Sequence, residues 1–505
     1  MSKFSQQRKI VEISLAFNPG RNKHALMLSD ELCERARQAR DPYYDGRFFI
    51  GVLTTGIYCR PVCPARMPKA DNVRFFPTGA SAQVAGFRPC KRCRPDTDAP
   101  PPGNARFTHP VQRALRMIDA GFLNQQKTEN LATAVGLGVR QLNRLFQQEL
   151  GSTPLAVARA VRVQLARRLI DNPGLKMTDV AMHAGFGSVR RFNDEFRAVY
   201  QVPPGEIKRR GGSESSGISL SLPVRAPYHH AAILEFLRGR SLQGVEETEG
   251  RTYRRCVVVN EGTGTAWVEA ELHDQCLVVS IPDQVTEPVH AIVRRLRRIF
   301  DLDADGPAID QQLREDPWLA PHVDAAPGLR VPGAWDGFET AVRAILGQQV
   351  SVARARDIAQ ALVNRFGAGQ FPSAAVLADA DVVGLGMMPA ARCNAVRNLA
   401  RAVVDDLIGL DECVDADELQ HSLTSIKGIG PWTAGYIAMR IARDPDTFLD
   451  SDWVIRKALE DAPSRTQADA WRPWRAYAVM VLWNKVGSER QEQQRSKLNG
   501  REDKT

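Results

Sequence analysis

The stretch Leu423-Thr424-Ser425-Ile426-Lys427-Gly428-Ile429-Gly430-Pro431-Trp432-Thr433-Ala434 decides the fold of the C-terminal half of this 505-residue chain. Two glycines flank one apolar residue, and apolar periodicity lies on both sides. The pattern predicts two short helices joined by a tight hairpin, where glycine alone accepts the backbone and lets another chain approach. Pro431 suits the first turn of the second helix, whose leading amides can hold a phosphate. Twenty residues beyond Trp432 stands Asp452, within Phe448-Leu449-Asp450-Ser451-Asp452-Trp453. Upstream lies Phe338-Glu339-Thr340-Ala341-Val342-Arg343-Ala344-Ile345-Leu346-Gly347-Gln348-Gln349-Val350-Ser351.

Taken together, these three blocks resemble the helix-hairpin-helix DNA glycosylases, and within them the AlkA type that releases alkylated bases. The resemblance runs over residues 218–487. It implies a small mixed β-sheet domain at 218–337 and an all-α core at 338–487. It also implies a catalytic role for Asp452, a base pocket of Trp432, Tyr436 and Trp483, and phosphate contacts from Gly428, Gly430 and Thr433. N-glycosidic cleavage develops positive charge at the sugar, which a carboxylate can stabilise while orienting water. A base taken out of the stack needs aromatic faces, more so when it is cationic. Where AlkA-type enzymes insert a leucine into the duplex as a wedge, this sequence has Gln349. Related enzymes that also cut the backbone carry lysine at the position of Trp432, so a monofunctional enzyme using water is expected. No cysteine follows Cys413, which argues against an iron–sulfur cluster.

The remaining cysteines tell a second story. Cys59 and Cys63 are spaced Cys-x3-Cys, and Cys90 and Cys93 follow as Cys-x2-Cys. Two short-spaced pairs can close a tetrahedral four-sulfur shell around one Zn²⁺. Nine cysteines, four clustered and five scattered, fit a reducing cytoplasm and a metal site, not a disulfide frame. The runs Thr54-Thr55-Gly56-Ile57-Tyr58-Cys59-Arg60-Pro61-Val62-Cys63 and Gly86-Phe87-Arg88-Pro89-Cys90-Lys91-Arg92-Cys93 resemble the Ada N-terminal zinc domain. That likeness implies that Cys59 accepts a methyl group from a methylated DNA phosphate, stoichiometrically. A purely structural zinc knuckle is the competing reading. Zinc keeps sulfur as thiolate near neutral pH. Methylation would take the four-thiolate site from a charge of about −2 to about −1, which favours a tighter grip on DNA. Arg66, Arg88, Lys91 and Arg92 surround the cluster as candidate phosphate contacts.

Between these halves the sequence repeats itself. Leu131-Ala132-x-x-Val135-Gly136-Leu137 recurs as Val180-Ala181-x-x-Ala184-Gly185-Phe186 after 49 positions. Each unit reads as a short helix, a glycine turn and a second apolar-periodic helix. The segment resembles the AraC-type DNA-binding domain. Candidate groove residues are Arg140, Gln141 and Arg144 on the first recognition helix and Ser188, Arg190 and Arg191 on the second, for bases or for phosphates. Residues 105–210 hold 17 Lys/Arg against 8 Asp/Glu, an excess as large as the net +9 of the whole chain. A pI near 9.2 points the same way, to a polyanionic partner.

The expected class is therefore multidomain α+β, mostly α. Residues 1–26 form an extension expected to be disordered, 27–103 the zinc domain and 104–210 the double helix-turn-helix. A linker at 211–217 precedes the glycosylase part, and a polar tail at 488–505 is expected to be disordered. No run of about 18 apolar residues exists to span a membrane, and the N-terminus lacks a signal-peptide core. The basic run Arg294-Arg295-Leu296-Arg297-Arg298 is expected as a solvated helix face. No Pro-Cys-His-Arg motif occurs, so no O6-methylguanine transferase part is expected. The whole reads as a cytoplasmic, nucleoid-associated monomer that binds alkylated and promoter DNA and works with RNA polymerase. The alternative is a regulator whose C-terminal half binds damaged DNA without catalysis.

Overall fold

The computed structural model describes residues 28–99, 108–207, 217–259, 264–411, 414–460 and 465–502. The expected N-terminal extension, most of the 211–217 linker and Cys413 lie outside them. The chain divides into two compact units, Met1–Pro223 with Pro288–Ala291, and Val224–Glu287 with Ile292–Thr505.

The first unit opens with a helix, Asp30–Ala39, capped by the Ser29 hydroxyl, which accepts from the Leu32 amide at 3.3 Å. A small sheet follows, with β1 (Phe49–Val52), β2 (Ile57–Cys59), β3 (Val73–Phe76) and β4 (Arg88–Pro89) in the order β3-β1-β2-β4. β1 pairs antiparallel with β2 and β3, and β2 pairs parallel with β4. Its core is Phe49, Tyr58, Phe76, Ala82 and Phe87. Gly51 is required by close approach, because a Cβ there would stand 2.6 Å from the Phe76 ring.

The repeated segment folds as two copies of helix, turn and helix. The first pairs Thr128–Ala134 with Val139–Leu150, and the second pairs Met177–His183 with Val189–Tyr200. The long helix Pro154–Ile170 joins them. The recurring glycines occupy the left-handed region, Gly136 at φ 73° and Gly185 at φ 83°, which explains why the repeat keeps them. The recurring apolar residues are core: Leu131, Leu142, Phe146, Val180, Phe192 and Phe196 are fully buried.

In the second unit, β6 (Glu246–Glu249), β7 (Thr252–Val259), β8 (Gly264–Leu272) and β9 (Cys276–Ile281) form consecutive antiparallel pairs. β5 (Ile218–Pro223) belongs to the first unit. β7, β8 and β9 fall on the stretches 253–260, 265–272 and 275–281, which read as strands in the sequence. β6 does not, because Glu-Glu-Thr-Glu has little strand propensity; Glu246 is buried there by the Tyr253 hydroxyl and by Arg343, at 2.8 and 2.7 Å. The helix His230–Arg238 was likewise not foreseen. The helices from Gly337 onward enclose one apolar core that includes Ala341, Ile345, Leu399, Leu423, Ala434 and Ile437.

Two expectations are corrected. The basic run is not a solvated face: Arg298 is buried and donates to the Ala334 and Trp335 carbonyls, while Arg297 and Arg295 pair with Asp303 and Glu287. The tail from Ser488, expected to be disordered, is helical as far as Glu502, within the helix Arg475–Glu502. Its Glu, Gln, Arg and Lys are good helix formers even without an apolar face.

Candidate functional site

Strand pairing assembles the sulfur cluster. Cys59 ends β2 opposite Ile50, and the parallel β2–β4 ladder brings Cys90 alongside, where its amide donates to the Tyr58 carbonyl at 3.0 Å. A turn returns Cys63 to the same place, its amide donating to the Arg60 carbonyl at 3.1 Å. The sulfurs of Cys59, Cys63, Cys90 and Cys93 all lie within 4.8 Å of one another. A tetrahedral metal with bonds of about 2.3 Å to sulfur separates its ligands by a little under 4 Å, so the cluster fits such an ion. Cys63 is pulled down to about 2 by the thiols of Cys59 and Cys93 hydrogen-bonded to it. Cys59 is pushed far up by its hydrogen bonds to Cys63 and Cys93, then by burial. Sulfurs this close cannot all be thiolates without a cation among them.

A cavity of about 420 Å³ opens beside Cys59 and is lined by Arg66, Arg88, Lys91 and Arg92, the basic residues expected near the cluster. It also takes in Arg40, which sequence reasoning missed because it lies on the far side of the sheet strands in sequence. Arg60, next to Cys59, is held by Asp45.

On the recognition helices Arg140, Gln141, Arg144 and Arg190 are exposed, as expected of groove residues. Ser188 and Arg191 are exposed but already employed. The Ser188 hydroxyl caps its helix by accepting from the Arg191 amide at 3.2 Å. Arg191 donates to Glu195 at 2.8 Å, one turn on.

The hairpin of the second unit runs from helix Ala416–Thr424 to helix Pro431–Ile441. Gly428 has φ 100°, and a Cβ there would meet the Ala395 Cβ at 2.7 Å, so glycine is demanded twice over. Gly428 and Gly430 are exposed. Thr433 is buried, and its hydroxyl accepts from Gln348 Nε2 at 3.0 Å. Gln348 also donates to the Gly428 carbonyl at 3.0 Å, and its own carbonyl accepts from Arg392. This clamp, unseen in the sequence, leaves Gln349 exposed in the left-handed region at φ 56°. A non-glycine residue held there is strained.

Asp452 caps the helix Trp453–Ala458, its Oδ1 accepting from the Ile455 amide at 3.0 Å. Two indoles complete its surroundings. Trp432 Nε1 donates to Oδ2 at 2.9 Å, and Trp483 Nε1 donates to Oδ1 at 3.2 Å. The carboxylate is 8% exposed, and among the described residues no lysine or arginine forms an ion pair with it. Trp432 and Tyr436 stack with ring centroids 5.6 Å apart and planes 13° from parallel. Trp483 lies 6.3 Å from Tyr436. All four residues expected at the reaction thus converge, and Asp450 stands exposed outside the group. Phe236 and Arg440 were missed. Arg440 donates to the Tyr436 hydroxyl at 2.7 Å and lies 4.9 Å from the Phe236 ring. Only tertiary folding brings residue 236 to residue 440.

Comparison with known proteins gives three family matches: the metal binding domain of Ada over residues 32–96, a helix-turn-helix domain over 131–210 and the AlkA N-terminal domain over 219–336. DNA-3-methyladenine glycosylase 2 of Escherichia coli is 32% identical over 282 residues, 53% of this chain and 97% of that protein. The bifunctional transcriptional activator/DNA repair enzyme Ada of Escherichia coli is 39% identical over 170 residues, 32% of this chain and 45% of that protein. A Mycobacterium tuberculosis protein named "Probable bifunctional transcriptional activator/DNA repair enzyme AlkA" is 41% identical over 479 residues, 90% of this chain and 96% of its own length. With four thiols gathered at one end, a duplicated helix-turn-helix behind them and a carboxylate among aromatics beyond a glycine hairpin, the chain belongs to the family of bifunctional transcriptional activator/DNA repair enzymes of the AlkA type.

Proposed function

We propose that the C-terminal half is a monofunctional DNA glycosylase that hydrolyses the N-glycosidic bond of alkylated purines of the 3-methyladenine type. The observation that carries this is the carboxylate of Asp452, oriented by two indoles and a backbone amide and without a cationic partner among the described residues. An oriented, uncompensated carboxylate suits the positive charge that develops on the sugar as the base departs. Trp432, Tyr436 and Trp483 receive the base, Gln349 fills the gap it leaves, and Gly428 and Gly430 grip the phosphate backbone. An alkylated purine already carries positive charge, so no strong general acid is required. The electron pair of the C–N bond leaves with the base, and water held by Asp452 forms the new bond to the sugar. Its proton passes to the carboxylate. Base release from methylated duplex DNA, lost in Asp452→Asn, tests this reading.

The N-terminal half is read as a sensor. Cys59, Cys63, Cys90 and Cys93 would hold one Zn²⁺, which keeps sulfur ionised near neutral pH. The Cys59 sulfur attacks the methyl carbon of a DNA methylphosphotriester. A sulfur–carbon bond forms as the carbon–oxygen bond breaks, and the electron pair leaves with the phosphodiester. Arg66, Arg88 and Lys91 around the cavity suit that anion. Methylated Cys59 then strengthens promoter binding through Arg140, Gln141, Arg144, Arg190 and the two helix starts, with RNA polymerase as the further partner and the protein acting as a monomer in the cytoplasm. Transfer of labelled methyl to Cys59, absent in Cys59→Ala while excision persists, checks that the two sites are separate.

A further inference from the structure

Behind the base pocket lies a group of arginines that the reaction as described does not use. Arg440, on the same helix as Tyr436, donates to the Tyr436 hydroxyl at 2.7 Å and to the Gly333 carbonyl at 2.8 Å. It is 8% exposed, and its guanidinium lies 5.6 Å from the Tyr436 ring and 4.9 Å from the Phe236 ring. Arg240 covers the same Phe236 ring at 3.6 Å. Arg343, which donates to the Arg240 carbonyl, faces the group from the helix Gly337–Leu346. The acids close by are already engaged. Glu246 and Glu339 each take a hydrogen bond of 2.7 Å from Arg343, Glu339 is also paired with Arg255, and Asp452 is held by the two indoles. The phenol oxygen therefore faces donors and no free carboxylate.

We propose that Arg440 is a positioning residue that holds the Tyr436 hydroxyl and fixes its ring parallel to Trp432, so that the pocket captures cationic bases in preference to neutral ones. This rests on the glycosylase reading above. Glu246 and Glu339 offset Arg343 and Arg255, but Arg440 and Arg240 would leave the back of the pocket positive, which is hostile to a cationic purine. A phenol whose hydroxyl leans on Arg440 cancels part of that charge as it gives up its proton, and its ring face becomes more negative. Burial works to raise the tyrosine, yet Arg440, Arg240 and Arg343 together hold it below the usual tyrosine range. The attraction acts on the base while it is still cationic and weakens as the base leaves neutral. It therefore favours capture over chemistry.

The test uses the full-length protein and its Arg440→Met, Arg440→Lys and Tyr436→Phe variants. Ultraviolet absorbance titration should show one tyrosine ionising below the others. That step should vanish in Tyr436→Phe, rise in Arg440→Met and be largely restored in Arg440→Lys. The half-saturating concentration for single-turnover release of N7-methylguanine should rise about tenfold in Arg440→Met and Tyr436→Phe, more than the limiting rate constant falls. Competition by a duplex carrying neutral hypoxanthine should weaken less than threefold. No early-ionising tyrosine in the wild type, or equal weakening toward both duplexes, overturns the proposal. The absorbance reading does not depend on excision. Failure of the glycosylase reading, seen as base release that persists in Asp452→Asn, is thus told apart from failure of this one. Tyr436→Phe keeps the ring and Arg440, which covers the case in which Arg440→Met does not fold.

Discussion

The indole of Trp432 reaches across twenty residues of sequence to donate to Asp452 Oδ2 at 2.9 Å, tying the hairpin to the carboxylate. The residue beside the glycines thus fixes the orientation of the acid while its ring, stacked on Tyr436, would form a wall of the proposed pocket. Trp432→Phe keeps the wall and removes the donor. The single-turnover rate of base release should fall about tenfold to a hundredfold, while affinity for undamaged duplex stays within about twofold. Asp452→Ala should in addition lower stability by about 1 kcal/mol through loss of the cap, a cost that Asp452→Asn avoids. Chemical denaturation of the two variants separates capping from catalysis.

Gln348 stitches the Gln349 loop to the hairpin with two hydrogen bonds, to Gly428 and Thr433. Gln348→Ala leaves the buried Thr433 hydroxyl without its donor, so a loss of about 1–3 kcal/mol in stability is expected. Release of base should slow as well, because the strained backbone of Gln349 is no longer pinned. Gln349→Ala should slow release without the loss of stability, as seen by comparing melting curves with excision rates.

The two turn glycines of the repeat predict unequal outcomes. Alanine at Gly136 meets only backbone strain, since no atom lies within 4 Å of its Cβ. At Gly185 the same methyl would stand 2.5 Å from the Asn124 side chain. Gly136→Ala should cost about 1 kcal/mol and Gly185→Ala clearly more, with promoter affinity following stability. Denaturant midpoints and band-shift titration would measure both.

Glu339 is buried between Arg255 and Arg343, with oxygens 2.5 and 2.7 Å from their nitrogens. Burial alone would raise this carboxyl, but Arg255 and Arg343 hold it below its ordinary value of 4.5. A carboxyl lowered in the folded state adds stability above its unfolded pKa and loses it as pH falls through the folded one. Wild-type stability should therefore hold near neutrality and decline on the acid side of 4.5. Glu339→Gln should be less stable at pH 7 by about 3 kcal/mol and show a flatter acid limb. Unfolding free energies measured across pH test both statements.

Much of this was legible in the sequence because glycine and cysteine report backbone and chemistry directly. Gly428, Gly136 and Gly185 named their turns, and the spacings of Cys59, Cys63, Cys90 and Cys93 named a shared centre. The repeated apolar positions gave the duplicated helices. Side chains meeting only through tertiary contact were hidden. The use of Arg298 as an internal donor, the burial of Thr433 and the meeting of Phe236 with Arg440 leave no local periodicity. The Glu-rich strand Glu246–Glu249 was overlooked because its neighbours, not its composition, place it in the sheet. The C-terminal helix continued past Ser488 because helix-forming residues need no apolar stripe to keep a helix going.

The most direct test is single-turnover release of N7-methylguanine from a methylated duplex by the wild-type protein and by Asp452→Asn, both confirmed as folded. The account predicts that the variant binds the duplex as the wild type does and releases the base at least about a thousandfold more slowly. Release by Asp452→Asn within about tenfold of the wild type would contradict it, because the carboxylate between Trp432 and Trp483 would then have no part in breaking the bond.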